Sequence, residues 1–259
     1  MTNRILWINP SSGLAAFDEP IAEFINTAKR ADTQVDVVSL KRGPMHLEYH
    51  YYEALVLADT LNRVKKAEKE GYDAVIIGCF YDPGLREARE ITNKIVVAAP
   101  AEASMLIAAG LGHRFSIIVG RDKWIPKMYE NVAKYGLVSR LASFESIGMG
   151  VCEFQKDKTE TAQRIRKAAK RAVHEKLAEV IILGCTIEFG FYKELQEELK
   201  IPVIDAVLAP LKYAEFMVEL RKSLGWGHSK IYGYESPPIS EIKEWKLSDQ
   251  YPEMMGLWF

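Results

Sequence analysis

Apolar and polar positions fall into blocks of two kinds along this chain. Short apolar runs rich in β-branched residues recur at 4–8, 35–40, 74–78, 95–98, 115–119, 144–147, 180–184 and 202–205. Between them lie longer stretches in which apolar residues return every three or four positions, as at Leu55, Ala58, Leu61 and Val64. The first kind predicts buried strands and the second predicts helices with one apolar face. Helices are expected over 18–31, 53–70, 85–92, 101–111, 125–135, 158–176, 189–199 and 206–224, with Pro20 tolerated in a first turn. Residues 42–52 read as an aromatic loop, and beyond Trp226 no period of either kind persists. Strands alternating with helices at this spacing imply parallel sheets and a doubly wound α/β architecture.

One block occurs twice. Asp73-Ala-Val-Ile-Ile-Gly-Cys79 lines up with Glu179-Val-Ile-Ile-Leu-Gly-Cys185, and the two cysteines stand 106 residues apart. Ile201 to Ala206 falls on Ile95 to Pro100 at the same spacing, and Arg114 to Ile118 resembles Arg4 to Ile8 at a spacing of 110. A constant offset across separate blocks is the mark of a duplicated unit. The expected organisation is a first lobe of residues 1–111 completed by 207–224, a second lobe of 112–206, and a C-terminal arm of 225–259.

Each repeated strand ends in Gly-Cys. Parallel strands deliver the next residues of the chain to the carboxyl edge of a sheet, where α/β proteins bind ligands. Two such units packed face to face bring Cys79 and Cys185 across one cleft. Two facing thiols, one ionised and one not, can remove a proton from a carbon beside a carbonyl and return one to the opposite face. A pKa lowered by helix N-termini or backbone donors is expected to make the thiolate available. The enolate-like intermediate needs hydrogen-bond donors. The strand-end loops put forward Asn9, Ser11, Ser12, Phe80, Gly120, Arg121 and Thr186 as substrate-binding residues. Arg121 reads either as a partner for a substrate carboxylate or as a solvated charge. His46 and His50 read either as lining the cleft or as surface-loop residues, the loop being the plainer reading for each alone. Cys152 lacks the repeated context and reads as a packing residue.

Composition narrows the classes. The chain has 259 residues, 48% hydrophobic and 27% charged, with a net charge of −1. That balance suits a globular enzyme and offers no general attraction to nucleic acid or to an anionic membrane. No apolar run is long enough to span a bilayer, and no signal peptide is read at the start, so a cytoplasmic location is expected. Three cysteines without zinc spacing argue against a disulfide framework or a metal site. No dinucleotide fingerprint and no phosphate-binding loop occur. The expected partner is a small-molecule substrate, with no cofactor, no metal, no nucleic acid and no membrane. The aromatic residues of the arm, Trp226, Tyr232, Tyr234, Trp245, Tyr251 and Trp258, leave two outcomes. The arm wraps its own lobes or docks on a neighbouring subunit, and enrichment of aromatics at interfaces favours a homo-oligomer.

Ile8-Asn-Pro10, Cys79-Phe-Tyr-Asp-Pro-Gly-Leu85, Arg114-Phe-Ser-Ile-Ile118 and Leu183-Gly-Cys185 resemble the hydantoin racemase branch of the aspartate/glutamate racemase superfamily. The resemblance spans residues 4–220. It implies two pseudo-symmetric α/β lobes with the site between them and racemisation of 5-substituted hydantoins or related ureides without cofactor or metal. It also places the acid/base pair at Cys79 and Cys185. The chain departs from that pattern at Ser11-Ser12, at Gly120-Arg121 and at Thr186-Ile187-Glu188. Two other readings stay open: an isomerase or decarboxylase of a small dicarboxylate, and a catalytically silent binding protein.

Overall fold

A computed structural model of the chain describes residues 2–13 and 15–252. Trp258 and the neighbouring Phe259, which belong with the aromatics of the arm, lie outside the described residues. The chain forms two four-stranded parallel sheets flanked by helices, the α/β architecture that the alternation predicts. The first sheet contains β1 (Asn3–Asn9), β2 (Thr33–Ser39), β3 (Ala74–Ile77) and β4 (Val96–Ala98) in the order β2-β1-β3-β4. The second contains β5 (Phe115–Val119), β6 (Leu141–Ser146), β7 (Val180–Leu183) and β8 (Val203–Ile204) in the order β6-β5-β7-β8. The two orders are the same permutation. Registers correspond as well, with Ile8 beside Ile77 in the first sheet and Ile118 beside Leu183 in the second.

Eight of the helices alternate with the strands: α1 (Asp18–Asn26), α2 (His50–Lys69), α3 (Leu85–Ile91), α4 (Pro100–Leu111), α5 (Ile125–Lys134), α6 (Lys158–Lys176), α7 (Tyr192–Leu199) and α8 (Leu208–Leu224). Their ends reflect local chemistry. Pro100 occupies the first turn of α4, where its missing N–H costs nothing. The Asp157 side chain accepts from the Thr159 and Glu160 amides and caps α6. Helix α8 packs on β1, β3 and β4 of the first sheet and on α4.

Four elements differ from those expected. Helix α1 stops at Asn26, where the Thr27 hydroxyl turns back onto the Phe24 carbonyl. Helix α2 begins at His50, inside the stretch read as loop. Strand β6 begins at Leu141, three residues before the apolar run that marked it. The arm holds two helices, α9 (Ile239–Glu244) and α10 (Leu247–Gln250). One or two turns are too short to display a period.

Part of the arm lies on its own first lobe. Lys230 Nζ donates to the carbonyls of Arg89, Glu90 and Thr92 at the end of α3. The Ser236 hydroxyl donates to the Glu90 carbonyl, and Arg89 Nη1 donates to the Tyr234 hydroxyl. At the sheet edge, His228 Nε2 accepts the Val97 amide at 3.0 Å. An unpaired edge amide invites another strand, and this contact removes one.

Candidate active site

β3 and β7 each end in the Gly-Cys pair that the repeat singled out. The Gly78 amide donates to the Ile8 carbonyl and the Gly184 amide to the Ile118 carbonyl, both at 2.8 Å. Glycine is needed at both places. A Cβ on Gly78 would stand 2.4 Å from the Trp7 indole, and one on Gly184 would stand 2.5 Å from the Ile118 carbonyl oxygen. Small residues here let each strand end lie flat against its neighbour and hold the next residue, the cysteine, at the sheet edge.

The two strand ends meet. The Thr186 hydroxyl donates to the Gly78 carbonyl at 3.2 Å and ties the second lobe to the first. Cys79 and Cys185 line one cavity of about 50 Å³. Ser11, Phe80 and Thr186 line it as well. The Ser11 hydroxyl is buried and has no hydrogen-bond partner among the described residues, so it is available to a ligand.

Four of the proposed binding residues are engaged elsewhere. Asn9 is fully buried. Its Oδ1 accepts from the Trp7 indole and its Nδ2 donates to Asp18, so both ends serve the fold. The Ser12 hydroxyl donates to the Gly43 carbonyl. Gly120 sits where a Cβ would stand 2.5 Å from the Met149 carbonyl oxygen, and its own carbonyl accepts the Met149 amide. Arg121 is neither solvated alone nor aimed into the cavity. Its Nη1 donates to Glu48 Oε2 at 2.8 Å.

Glu48 and His46 come to the cavity from the stretch between β2 and α2, together with Leu47. Of the two histidines that the sequence offers from that aromatic loop, His46 lines the cavity and His50 does not. Glu48 reaches across to the second lobe, where its oxygens accept from Arg121, from the Trp124 indole at 3.3 Å and from the Val151 amide at 3.1 Å. Burial alone would push its carboxyl up. The Arg121 and Val151 donors outweigh that and hold it below the usual carboxylate range. Trp124, Met128 and Val151 complete the second-lobe wall. No local signal marks these residues. His50 is exposed at the start of α2 and Cys152 is exposed.

The thiols are shifted the opposite way from the expectation. Burial pushes Cys79 up to about 12, against the Tyr81 amide that favours the thiolate. Cys185 is also pushed up, first by burial and next by Glu188. The helices that were to supply positive N-termini begin too late, α3 at Leu85 and α7 at Tyr192. The turns that intervene carry acids instead, Asp82 after Cys79 and Glu188 after Cys185. Asp82 Oδ1 accepts the Ala101 amide, and Asp82 Oδ2 accepts the Glu102 amide and the Tyr135 hydroxyl.

Comparison with known proteins places this geometry. Residues 5–214 match the Asp/Glu/hydantoin racemase family. A hydantoin racemase of Pseudomonas sp. (strain NS671) is 38% identical over 92% of this chain and 93% of its own length. A hydantoin racemase of Paenarthrobacter aurescens is 36% identical over 90% of this chain and 97% of its own. Among solved structures, allantoin racemase from Klebsiella pneumoniae superposes with a TM-score of 0.84 at 30% identity, covering 92% of this chain and 94% of that one.

Proposed function

The chain belongs to the Asp/Glu/hydantoin racemase family, and from that premise we propose that it racemises a 5-substituted hydantoin or a related ureide, with Cys79 and Cys185 as the acid/base pair. The observation that carries this reading is the meeting of two duplicated strand ends, each with its cysteine, in one cavity. A carbon flanked by a carbonyl gives up its proton to a thiolate on one face. The electron pair moves to the carbonyl oxygen, and the second thiol protonates the carbon from the other face. The Ser11 hydroxyl and the Thr186 side chain line the cavity with both thiols, and Ser11, which has no partner among the described residues, is the available donor to the developing oxyanion.

Raised thiol pKa values mean that both cysteines rest as thiols and that one ionises only in order to react. They also set the sign of the pH response. The base must lose a proton before it can accept one, so the rate rises with pH through the neutral and alkaline range, toward the raised Cys79 value of about 12. The setting of the same reading is a cytoplasmic homo-oligomer. Trp226, Tyr232 and Trp245 stay exposed on the arm and supply an apolar face to a second copy.

The test is incubation in heavy water with one enantiomer of a 5-substituted hydantoin. Optical activity is expected to decay while one solvent deuteron enters the stereocentre. Retention of both optical activity and the original hydrogen across a panel of hydantoins and ureides would overturn the proposal. Release of carbon dioxide from a small dicarboxylate would move the chain to a decarboxylase.

A further inference from the structure

Among the described residues, Glu48 is the one carboxylate on the wall of the two-cysteine cavity, and no lysine or arginine lines that wall. Its side chain is only 5% exposed, although it comes from the stretch between β2 and α2. Arg121 Nη1 and the Trp124 indole donate to Oε2, and the Val151 amide donates to Oε1. A carboxylate offers about four acceptor positions, so these donors leave one lone pair of Oε1 unpartnered among the described residues. His46 Nδ1 lies 3.8 Å from Oε1, beyond hydrogen-bond reach, and it accepts the Glu48 amide at 3.4 Å.

Burial works against the Glu48 charge, and the Arg121 and Val151 donors outweigh it, so the group is a fixed carboxylate at neutral pH. Around it the wall is largely apolar, with Leu47, Phe80, Trp124, Met128 and Ile187. In such surroundings a second negative charge is repelled strongly, because little water screens it. The nearby Arg121 charge is answered by Glu48 itself. An uncharged N–H meets no such barrier and finds a strong acceptor. The Ser11 hydroxyl, buried and unpartnered among the described residues, supplies a donor in the same cavity. Together Ser11 and Glu48 complement the C=O and N–H groups of a ring amide.

We propose that Glu48 Oε1 accepts a ring N–H of the substrate and so makes the site select an uncharged cyclic ureide over an open-chain carboxylate. The choice of ring rests on the racemase reading. Glu48 is then a specificity-determining residue rather than an acid or base: it binds the ring and leaves the stereocentre to the thiols. Its three donors all come from the second lobe, while its backbone belongs to the first. The acceptor is therefore aimed before substrate arrives, which a free side chain on a loop could not achieve. A small dicarboxylate would bring one or two charges to a wall that holds a carboxylate and no cation, so the same arrangement disfavours it.

The test compares 5-benzylhydantoin with its N1-methyl and N3-methyl derivatives. In the parent chain, methylation of one ring nitrogen should lower kcat/KM by about 10–100-fold, the worth of one hydrogen bond to a charged acceptor. Glu48→Ala should weaken the unmethylated ring and spare the methylated one, so that the ratio between them falls toward one. An equal tolerance of methyl at both nitrogens in the parent, or an unchanged ratio in Glu48→Ala, overturns the proposal. The charge is tested with N-carbamoylphenylalanine, the ring-opened carboxylate, as a competitive inhibitor. It should bind at least about tenfold more weakly than the ring, and Glu48→Gln should close most of that gap. A gap that Glu48→Gln leaves intact overturns the selection by charge.

Calorimetric binding of unsubstituted hydantoin and its two N-methyl derivatives makes the same comparison without turnover. Binding that rejects one methylated ring, in a chain that racemises nothing, upholds the Glu48 contact and defeats the racemase reading. Racemisation that tolerates methyl on both nitrogens overturns the contact and leaves the racemase reading standing.

Discussion

The two strand ends that meet in the cavity share a backbone and differ in their surroundings. Each has a glycine whose amide bonds the neighbouring strand at 2.8 Å, then a cysteine, then an acid three residues on. Asp82 is held by two amides of α4 and by the Tyr135 hydroxyl, whereas Glu188 is held by nothing among the described residues. The edge strands repeat the lesson. The Val97 amide of β4 is taken by His228 of the arm, and the corresponding Val203 amide of β8 is taken by the Gln196 side chain of α7. Duplication kept the positions where backbone must be satisfied and left the partner free to change. A chiral protein that handles two mirror-image substrates has no reason to keep two identical faces. Divergence of the side chains around a common frame is what such chemistry needs.

The largest expected effect breaks the comparison outright. Cys79→Ser or Cys185→Ser should lower racemisation by about 10²–10⁴-fold, the usual worth of a general acid or base. Each single variant should still exchange solvent deuterium into one enantiomer only, and opposite ones. If both variants exchanged the same enantiomer, the thiols would not serve opposite faces.

Next comes the satisfied acid. Asp82→Asn supplies one acceptor oxygen where the carboxyl uses two, and should destabilise the fold by about 1–3 kcal/mol. Burial raises Asp82 to about 7 from a usual value of 3.8. The folded state therefore binds the proton more tightly, and this contribution is full below the unfolded value and lost as pH rises toward 7. Denaturant midpoints measured across that window should slope downward in the parent and flatten in Asp82→Asn.

The sheet edge offers a test with the reverse sign. Burial, then the Arg89 and Lys230 charges, lower His228 to about 3 from 6.5. Its Nε2 accepts the Val97 amide only when unprotonated. Stability from this contact is present above 6.5 and lost as pH falls toward 3, by at most about 1.4 kcal/mol per pH unit. Proteolysis of the arm should accelerate with acid in the parent. In His228→Gln, which copies the second lobe's acceptor, cleavage should not depend on pH over this range. An arm equally protected at acid and neutral pH in the parent would remove the His228 account.

The smallest effects are at the surface. Arg121→Ala leaves Glu48 with its Trp124 and Val151 donors, and KM should rise by less than about fivefold. Cys152→Ser should leave kcat and KM unchanged, since Cys152 is exposed and outside the cavity.

The sequence alone determined the strands, their parallel pairing, the duplication and the two cysteines at its centre. Those features are local or periodic: an apolar run of four, a helix repeat, a glycine that only a close backbone approach requires. Ser11, Phe80 and Thr186 are candidates by their place at strand ends, and the structure puts them at the cavity with both thiols. Only tertiary structure decided that Asn9 and Gly120 serve packing, that Arg121 answers Glu48, and that Glu48 crosses between lobes. The sign of the thiol shifts and the isolation of Glu188 were decided there too. The reason is common to all of them. Burial and charge are sums over neighbours far apart in the chain. A separation of 73 positions between Glu48 and Arg121 leaves no periodic trace of a contact that exists only in the folded chain.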